Sequence, residues 1–168
     1  AAFFTGADVV VVGSGESAAD AALELAALGA RVTLVGHKAL ATPPVLTERI
    51  LASPSINVRE DMSVTEIVGD KRVTGVRLTD AGDRQELLPA AGVFIETGAI
   101  AASEFLGGLV EINTKGEIVV DRACATRAPG VFAAGDVTDG PGKQIIIAAG
   151  EGARAAMSAS RYLKRRQG

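Results

Sequence analysis

The residues Gly13-Ser14-Gly15-Glu16-Ser17-Ala18 follow the β-branched run 9–12 and lead into an Ala/Leu stripe at Ala18, Ala22, Leu25 and Ala26. A glycine-rich turn that leaves a strand and opens a helix brings backbone N–H groups and the positive end of the helix dipole to bear on an anion. In this GxGxxA spacing Gly13 permits the tight turn, Gly15 lets a pyrophosphate approach the backbone, and Ala18 keeps the helix close to the strand. Glu16 and Ser17 fill the variable positions. The same spacing also occurs as a plain tight turn between strand and helix, so its weight comes from what surrounds it. Here Gly29 and a second apolar run, 32–35, follow the helix at the lengths a dinucleotide-binding unit requires.

The end of that second run decides which dinucleotide is expected. A site selective for a ribose 2′-hydroxyl places Asp or Glu there, and this chain has Gly36-His37-Lys38. With no acid and two potential cations, a 2′-phosphate is favoured, so NADPH is expected ahead of NADH. A lone lysine on a solvated loop would leave NADH as the alternative. A third stretch, Gly135-Asp136 followed by Asp139-Gly140-Pro141-Gly142 and the small residues Ala148, Ala149, Gly150, Gly152 and Ala153, suits close approach of backbone to a ligand or a strand. Taken alone it also reads as a surface turn before a tightly packed Ala-rich helix. Cys124 is the single cysteine, beside a single histidine. Neither an internal disulfide nor a structural zinc site can be built from these, and a reducing, cytoplasmic setting is the simplest reading.

The elements that position these residues follow from periodicity. Strands apolar on consecutive residues are buried on both faces, which predicts an α/β, Rossmann-like, doubly wound parallel sheet with helices on both sides and right-handed crossovers. After Pro43-Pro44 a short helix is expected through Leu51, then a strand at 56–59. Alternating strands at 64–68, 73–78 and 86–88, joined by Gly69-Asp70-Lys71 and Asp80-Ala81-Gly82, predict an antiparallel β-meander. Further short strands are expected at 93–97, 118–120 and 131–134, and a last helix from about Lys143 to Tyr162.

The 168 residues, 48% hydrophobic and 22% charged, suit one globular domain or two small lobes. A net charge of −3 and 4% aromatics argue against nucleic acid and anionic membrane as partners. The apolar runs are too short to cross a bilayer. Ala1-Ala2-Phe3-Phe4-Thr5-Gly6 lacks the features of a secretory signal and an initiator Met, so the chain reads as cut or processed at its front.

With these residues placed, the chain resembles the thioredoxin reductase family of pyridine nucleotide-disulfide oxidoreductases. The resemblance is carried by Phe3-Phe4-Thr5-Gly6, the glycine-rich turn, Val93-Phe94-Ile95-Glu96-Thr97-Gly98, Gly116-Glu117-Ile118-Val119-Val120-Asp121, Gly130-Val131-Phe132-Ala133-Ala134-Gly135-Asp136 and Lys143-Gln144-Ile145-Ile146-Ile147-Ala148. It implies an NAD(P)H-binding domain over residues 1–90 and the C-terminal part of an FAD-binding domain, a partial second lobe, over residues 91–168. It further implies that Gly98, Gly135 and Asp136 lie at cofactor sites, with Asp136 accepting a hydrogen bond from the FAD ribityl chain. Lys143, Gln144 and Ile145 would then stand at a helix N-terminus beside the flavin ring, where positive charge stabilises the reduced form.

The implied activity passes a hydride from NADPH through FAD to a dithiol/disulfide, with a small redox protein or disulfide substrate as acceptor. The flavin site would be completed by an N-terminal segment carrying its own glycine-rich turn and a Cys-x-x-Cys, or by a homodimer partner. The chain departs from the family at Ala101-Ala102, where a Pro-Asn pair is usual, and at His37-Lys38, where a basic triplet is reduced. Two other functions remain open on the residues alone, a ferredoxin/flavodoxin–NADP reductase-like flavoprotein and a non-catalytic NADP-binding module. A short-chain dehydrogenase is disfavoured, because Tyr162 is followed four residues on by Arg166 rather than Lys.

Overall fold

The structure, a computed structural model, describes residues 2–166. The chain divides into two compact units, Ala1–Gly98 and Ala99–Gly168. In order, the first unit contains β1 (Asp8–Val12), α1 (Glu16–Ala27), β2 (Arg31–Val35), α2 (Pro44–Ala52), β3 (Ile56–Arg59), β4 (Met62–Gly69), β5 (Val73–Asp80), β6 (Gln85–Pro89) and β7 (Gly92–Ile95). Four strands form a parallel sheet in the order β3-β2-β1-β7, and β4-β5-β6 form a separate antiparallel meander.

The alternation of side chains along β1 divides the core in two. Val9 and Val11 face a cluster with Ala18, Ala22 and Leu25 of α1, Leu34 of β2 and Ile50 of α2. Val10 points the other way, into a cluster with Val35, Val76, Leu78 and Ala90. The consecutive apolar run therefore signals burial on both faces correctly, but the second face is covered by the meander and not by helices. A half-apolar antiparallel sheet such as β4-β5-β6, with Val76 and Leu78 of β5 fully buried, meets the same demand for cover as a helix does.

The boundary between the two units falls between Gly98 and Ala99. The reason is β7, whose residues Val93 and Phe94 pair in parallel with Val10 and Val11 of β1. Phe94 also packs edge-on against Phe4, with ring centroids 5.4 Å apart. In the second unit, the strands expected at 118–120 and 131–134 are present only as isolated bridges, Ile112 to Ile118, Ile118 to Thr138 and Ala125 to Phe132. Its one long element among the described residues is α3 (Ile145–Arg166). No helix among the described residues is long and apolar enough to cross a membrane.

Candidate functional site

The glycine-rich turn lies at the C-terminal ends of β1 and β7, where the chain order of the parallel sheet switches direction and open α/β sheets form their ligand crevice. Gly13 has φ +149°, and its N–H donates to the Val35 carbonyl at 2.8 Å. A Cβ at this position would overlap the Glu96 carbonyl oxygen and stand 2.9 Å from the Ala18 Cβ. Gly15 is the N-cap of α1 and offers no side-chain cap, and a Cβ there would meet nothing within 4 Å. The first intrahelical bond runs from the Ala19 N–H to the Gly15 carbonyl at 3.1 Å. The N–H groups of Glu16, Ser17 and Ala18 thus precede the hydrogen-bonded ladder and are available to an anion. Clear space at Gly15 and free donors behind it fit a pyrophosphate.

The loop that follows β2 is tied down on two sides. Its Gly36 N–H donates to the Arg59 carbonyl at 3.0 Å and its carbonyl accepts from the Met62 N–H at 3.0 Å. The Ala41 N–H donates to the Ser14 carbonyl at 2.7 Å, which couples this loop to the glycine-rich turn. His37 and Lys38 are exposed between these anchors. Glu60, which no motif singles out, reaches across from the end of β3 and accepts the Leu40 N–H at 2.9 Å. Its only signal in the sequence is position: a residue after β3 lies beside the residue after β2 once the two strands pair.

In the second unit Gly135 has φ +81° and donates its N–H to Glu151 Oε2 at 2.8 Å. Its carbonyl accepts from both the N–H (2.9 Å) and the hydroxyl (2.8 Å) of the buried Thr138. A Cβ on Gly135 would lie 3.3 Å from the Ala148 Cβ, so the Gly-Asp turn leans on the first turns of α3. Asp136 is exposed. Glu151 is a second residue that spacing does not reveal, since it lies 16 positions from the turn it holds.

Gln144 stands immediately before α3, its carbonyl accepting the Ala148 N–H at 2.9 Å, and Ile145 and Ile146 are strongly exposed. An exposed helix N-terminus flanked by apolar side chains, next to an exposed Asp136, fits an amphipathic ring system with a polar tail. The side chain of Lys143 is engaged elsewhere: its Nζ pairs with Glu117 Oε1 at 3.0 Å and donates to the Thr138 carbonyl. Glu117 also accepts from the Asn113 amide at 2.8 Å. The Asn113 hydrogen bond first, and then Lys143, hold the Glu117 carboxyl below the ordinary carboxylate range. Gly98, φ +90° with open space around it, ends the first unit.

Cys124 is buried, with its thiol 3.6 Å from the Glu151 carbonyl. No group of three His, Cys, Asp or Glu among the described residues is arranged to hold a metal. We expect Cys124 in the folded chain to react with an aromatic disulfide reagent about a hundredfold more slowly than in urea, since reaction must wait for local opening. Equal rates measured by the released thiolate would show the thiol to be accessible and reopen a redox role for it.

Residues 5–152 match the family described as pyridine nucleotide-disulphide oxidoreductase. The chain belongs to that family, whose members are flavin- and nicotinamide-dependent enzymes. It is 41% identical over 164 residues to the F subunit of alkyl hydroperoxide reductase of Staphylococcus aureus (strain NCTC 8325 / PS 47), a match that covers 96% of this chain and 32% of the relative. The counterpart in Staphylococcus epidermidis (strain ATCC 12228 / FDA PCI 1200) is 39% identical over 165 residues, again covering 96% and 32%. The chain therefore spans about a third of the length of the curated relatives it matches. Among solved structures, thioredoxin reductase from Streptococcus pyogenes MGAS5005 superposes with a TM-score of 0.75 at 32% identity, covering 98% of this chain and 55% of that one. Thioredoxin reductase from T. acidophilum gives a TM-score of 0.72 at 36% identity, covering 97% and 54%.

Proposed function

We propose that the first unit binds a nicotinamide dinucleotide, NADPH in preference to NADH, and that the second unit supplies part of an FAD site in a thioredoxin reductase-like enzyme of the cytoplasm. When bound, the nicotinamide would supply a hydride and the flavin would relay its electron pair and proton to a disulfide, which takes up one further proton from solvent to become a dithiol. The observation that carries the reading is the turn Gly13–Ala18 at the sheet's switch point, with no room for a side chain at Gly13 and clear space at Gly15.

The chain's own residues bind and orient. The N–H groups of residues 16–18 hold a pyrophosphate, and His37 and Lys38 meet a 2′-phosphate. Gly135 gives the backbone shape that presents Asp136 to a ribityl hydroxyl. The backbone at Lys143, Gln144 and Ile145 brings the positive end of α3 toward a flavin ring, while the Lys143 ammonium holds the loop through Glu117. The final acceptor is a small redox protein or another disulfide, and the rest of the flavin site comes from an N-terminal segment or a homodimer partner. Support for these assignments comes from the likeness to the reductases above and from the family's architecture.

Calorimetric titration of the chain with both nucleotides tests the assignment. NADPH is expected to bind more tightly, and Lys38→Ala to remove about 1–2 kcal/mol of that preference, an exposed lysine contributing less than a buried one. Equal affinities for the two nucleotides would remove the NADPH preference, and no binding of either would remove the nucleotide domain.

A further inference from the structure

We propose that Glu60 positions the 2′-binding loop and at the same time limits how far the chain can favour NADPH over NADH. This rests on the first unit being a nicotinamide-nucleotide domain. The acid that a dinucleotide-binding unit usually carries at the end of its second strand is replaced by Gly36, yet a carboxylate is present at the same loop. It comes from the next strand of the sheet. Glu60 follows β3, which pairs in parallel with β2, and its Oε1 accepts the Leu40 N–H at 2.9 Å. The carboxylate is thereby attached to the loop that displays His37 and Lys38.

The corner that carries Glu60 is held by the backbone on both sides. Asp61 turns the chain with φ +55°, and Met62 immediately re-enters pairing through its N–H to the Gly36 carbonyl at 3.0 Å. The nearest basic residue in the sequence, Arg59, is engaged elsewhere, its Nη2 lying 2.6 Å from Glu86 Oε2. Arg59 therefore does not cancel the Glu60 charge by pairing with it, and Asp61 adds a second acid to the corner. Glu60 has two separable effects on a bound nucleotide. As an acceptor it orders the loop, which helps NADPH and NADH alike. As an anion beside the loop it opposes a 2′-phosphate and leaves a 2′-hydroxyl largely unaffected.

Glu60→Gln and Glu60→Ala separate the two effects, because the Gln side-chain carbonyl can accept the same Leu40 N–H without carrying charge. Dissociation constants for both nucleotides are measured calorimetrically on the chain, and hydrogen exchange at the Leu40 amide is followed without nucleotide. Glu60→Gln should raise the preference for NADPH over NADH about three- to tenfold at low salt, with a smaller increment at high salt, and keep the Leu40 amide protected. Glu60→Ala should expose that amide to faster exchange and weaken NADH binding. An unchanged preference in Glu60→Gln, or unchanged Leu40 exchange in Glu60→Ala, overturns the proposal alone. A wild-type chain that binds neither nucleotide overturns the nucleotide-domain reading with it, and the exchange data, taken without nucleotide, tell the two failures apart.

Discussion

Gly13→Ala is expected to destabilise the first unit by about 2–4 kcal/mol and to abolish measurable nucleotide binding. The backbone at Gly13 has φ +149°, a region that residues with a Cβ rarely enter, and the added methyl would overlap the Glu96 carbonyl oxygen while pressing on Ala18. Neither neighbour is a flexible side-chain end that can swing away. Glu96 is held by its N–H to the Val12 carbonyl at 2.7 Å, and Ala18 is fully buried against β1. Relief must come from parting β7 from β1 or lifting α1 off the sheet, and either movement spoils the turn. Against a typical domain stability of about 5–15 kcal/mol, this is a large fraction.

Gly15→Ala is the informative companion. Gly15 has an ordinary φ of −94° and open space, so the fold should survive while a methyl now occupies the approach of the pyrophosphate. Urea denaturation and nucleotide titration together should show stability lost only at position 13 and affinity lost at both, on the order of tenfold or more at position 15. Wild-type affinity in Gly15→Ala would show that no phosphate passes there.

The second large effect concerns flavin. Expressed as these 168 residues, the chain should bind a nicotinamide nucleotide yet purify without stoichiometric FAD and without disulfide reductase activity. Among the described residues one glycine-rich turn joins a strand to a helix N-terminus, and it belongs to the first unit. The FAD pyrophosphate is left without such a cradle. In the second unit, Ile100, Phe105, Ile145 and Ile146 are all strongly exposed, and the β pairing consists of isolated bridges. Surfaces of that kind invite association with another chain. Adding a polypeptide with the first flavin segment and a Cys-x-x-Cys should therefore restore flavin absorbance and NADPH-dependent reduction of a disulfide dye. Stoichiometric FAD in the purified 168-residue chain would falsify the assignment of the second unit as part of a flavin site.

Much of the first unit is legible from spacing because its determinants are local. Four consecutive valines at 9–12 signal a doubly buried strand, the stripe Ala18, Ala22, Leu25 gives α1 its buried face, and each strand of the meander lies within a few residues of where alternation predicts it. The second unit is less legible, since 118–120 and 131–134 have strand-like residues but only single bridging partners. A strand requires a neighbour, and β propensity alone does not supply one.

The sequence by itself determined the order of elements in the first unit, the glycine-rich turn between β1 and α1 and the resemblance to a disulfide reductase, all of which depend on residues close along the chain. Tertiary structure alone decided which partner each distant group takes. It put the meander, not helices, over the second face of the sheet, and drew β7 beside β1 so that the first unit ends at Gly98. It paired Lys143 with Glu117, held Gly135 through Glu151 and brought Glu60 to the loop after β2. The physical reason is common to all of these. Side-chain period reports whether a residue faces a core, but a hydrogen bond or ion pair between residues 16 to 26 positions apart exists only when the packing of whole elements brings donor and acceptor within about 3 Å.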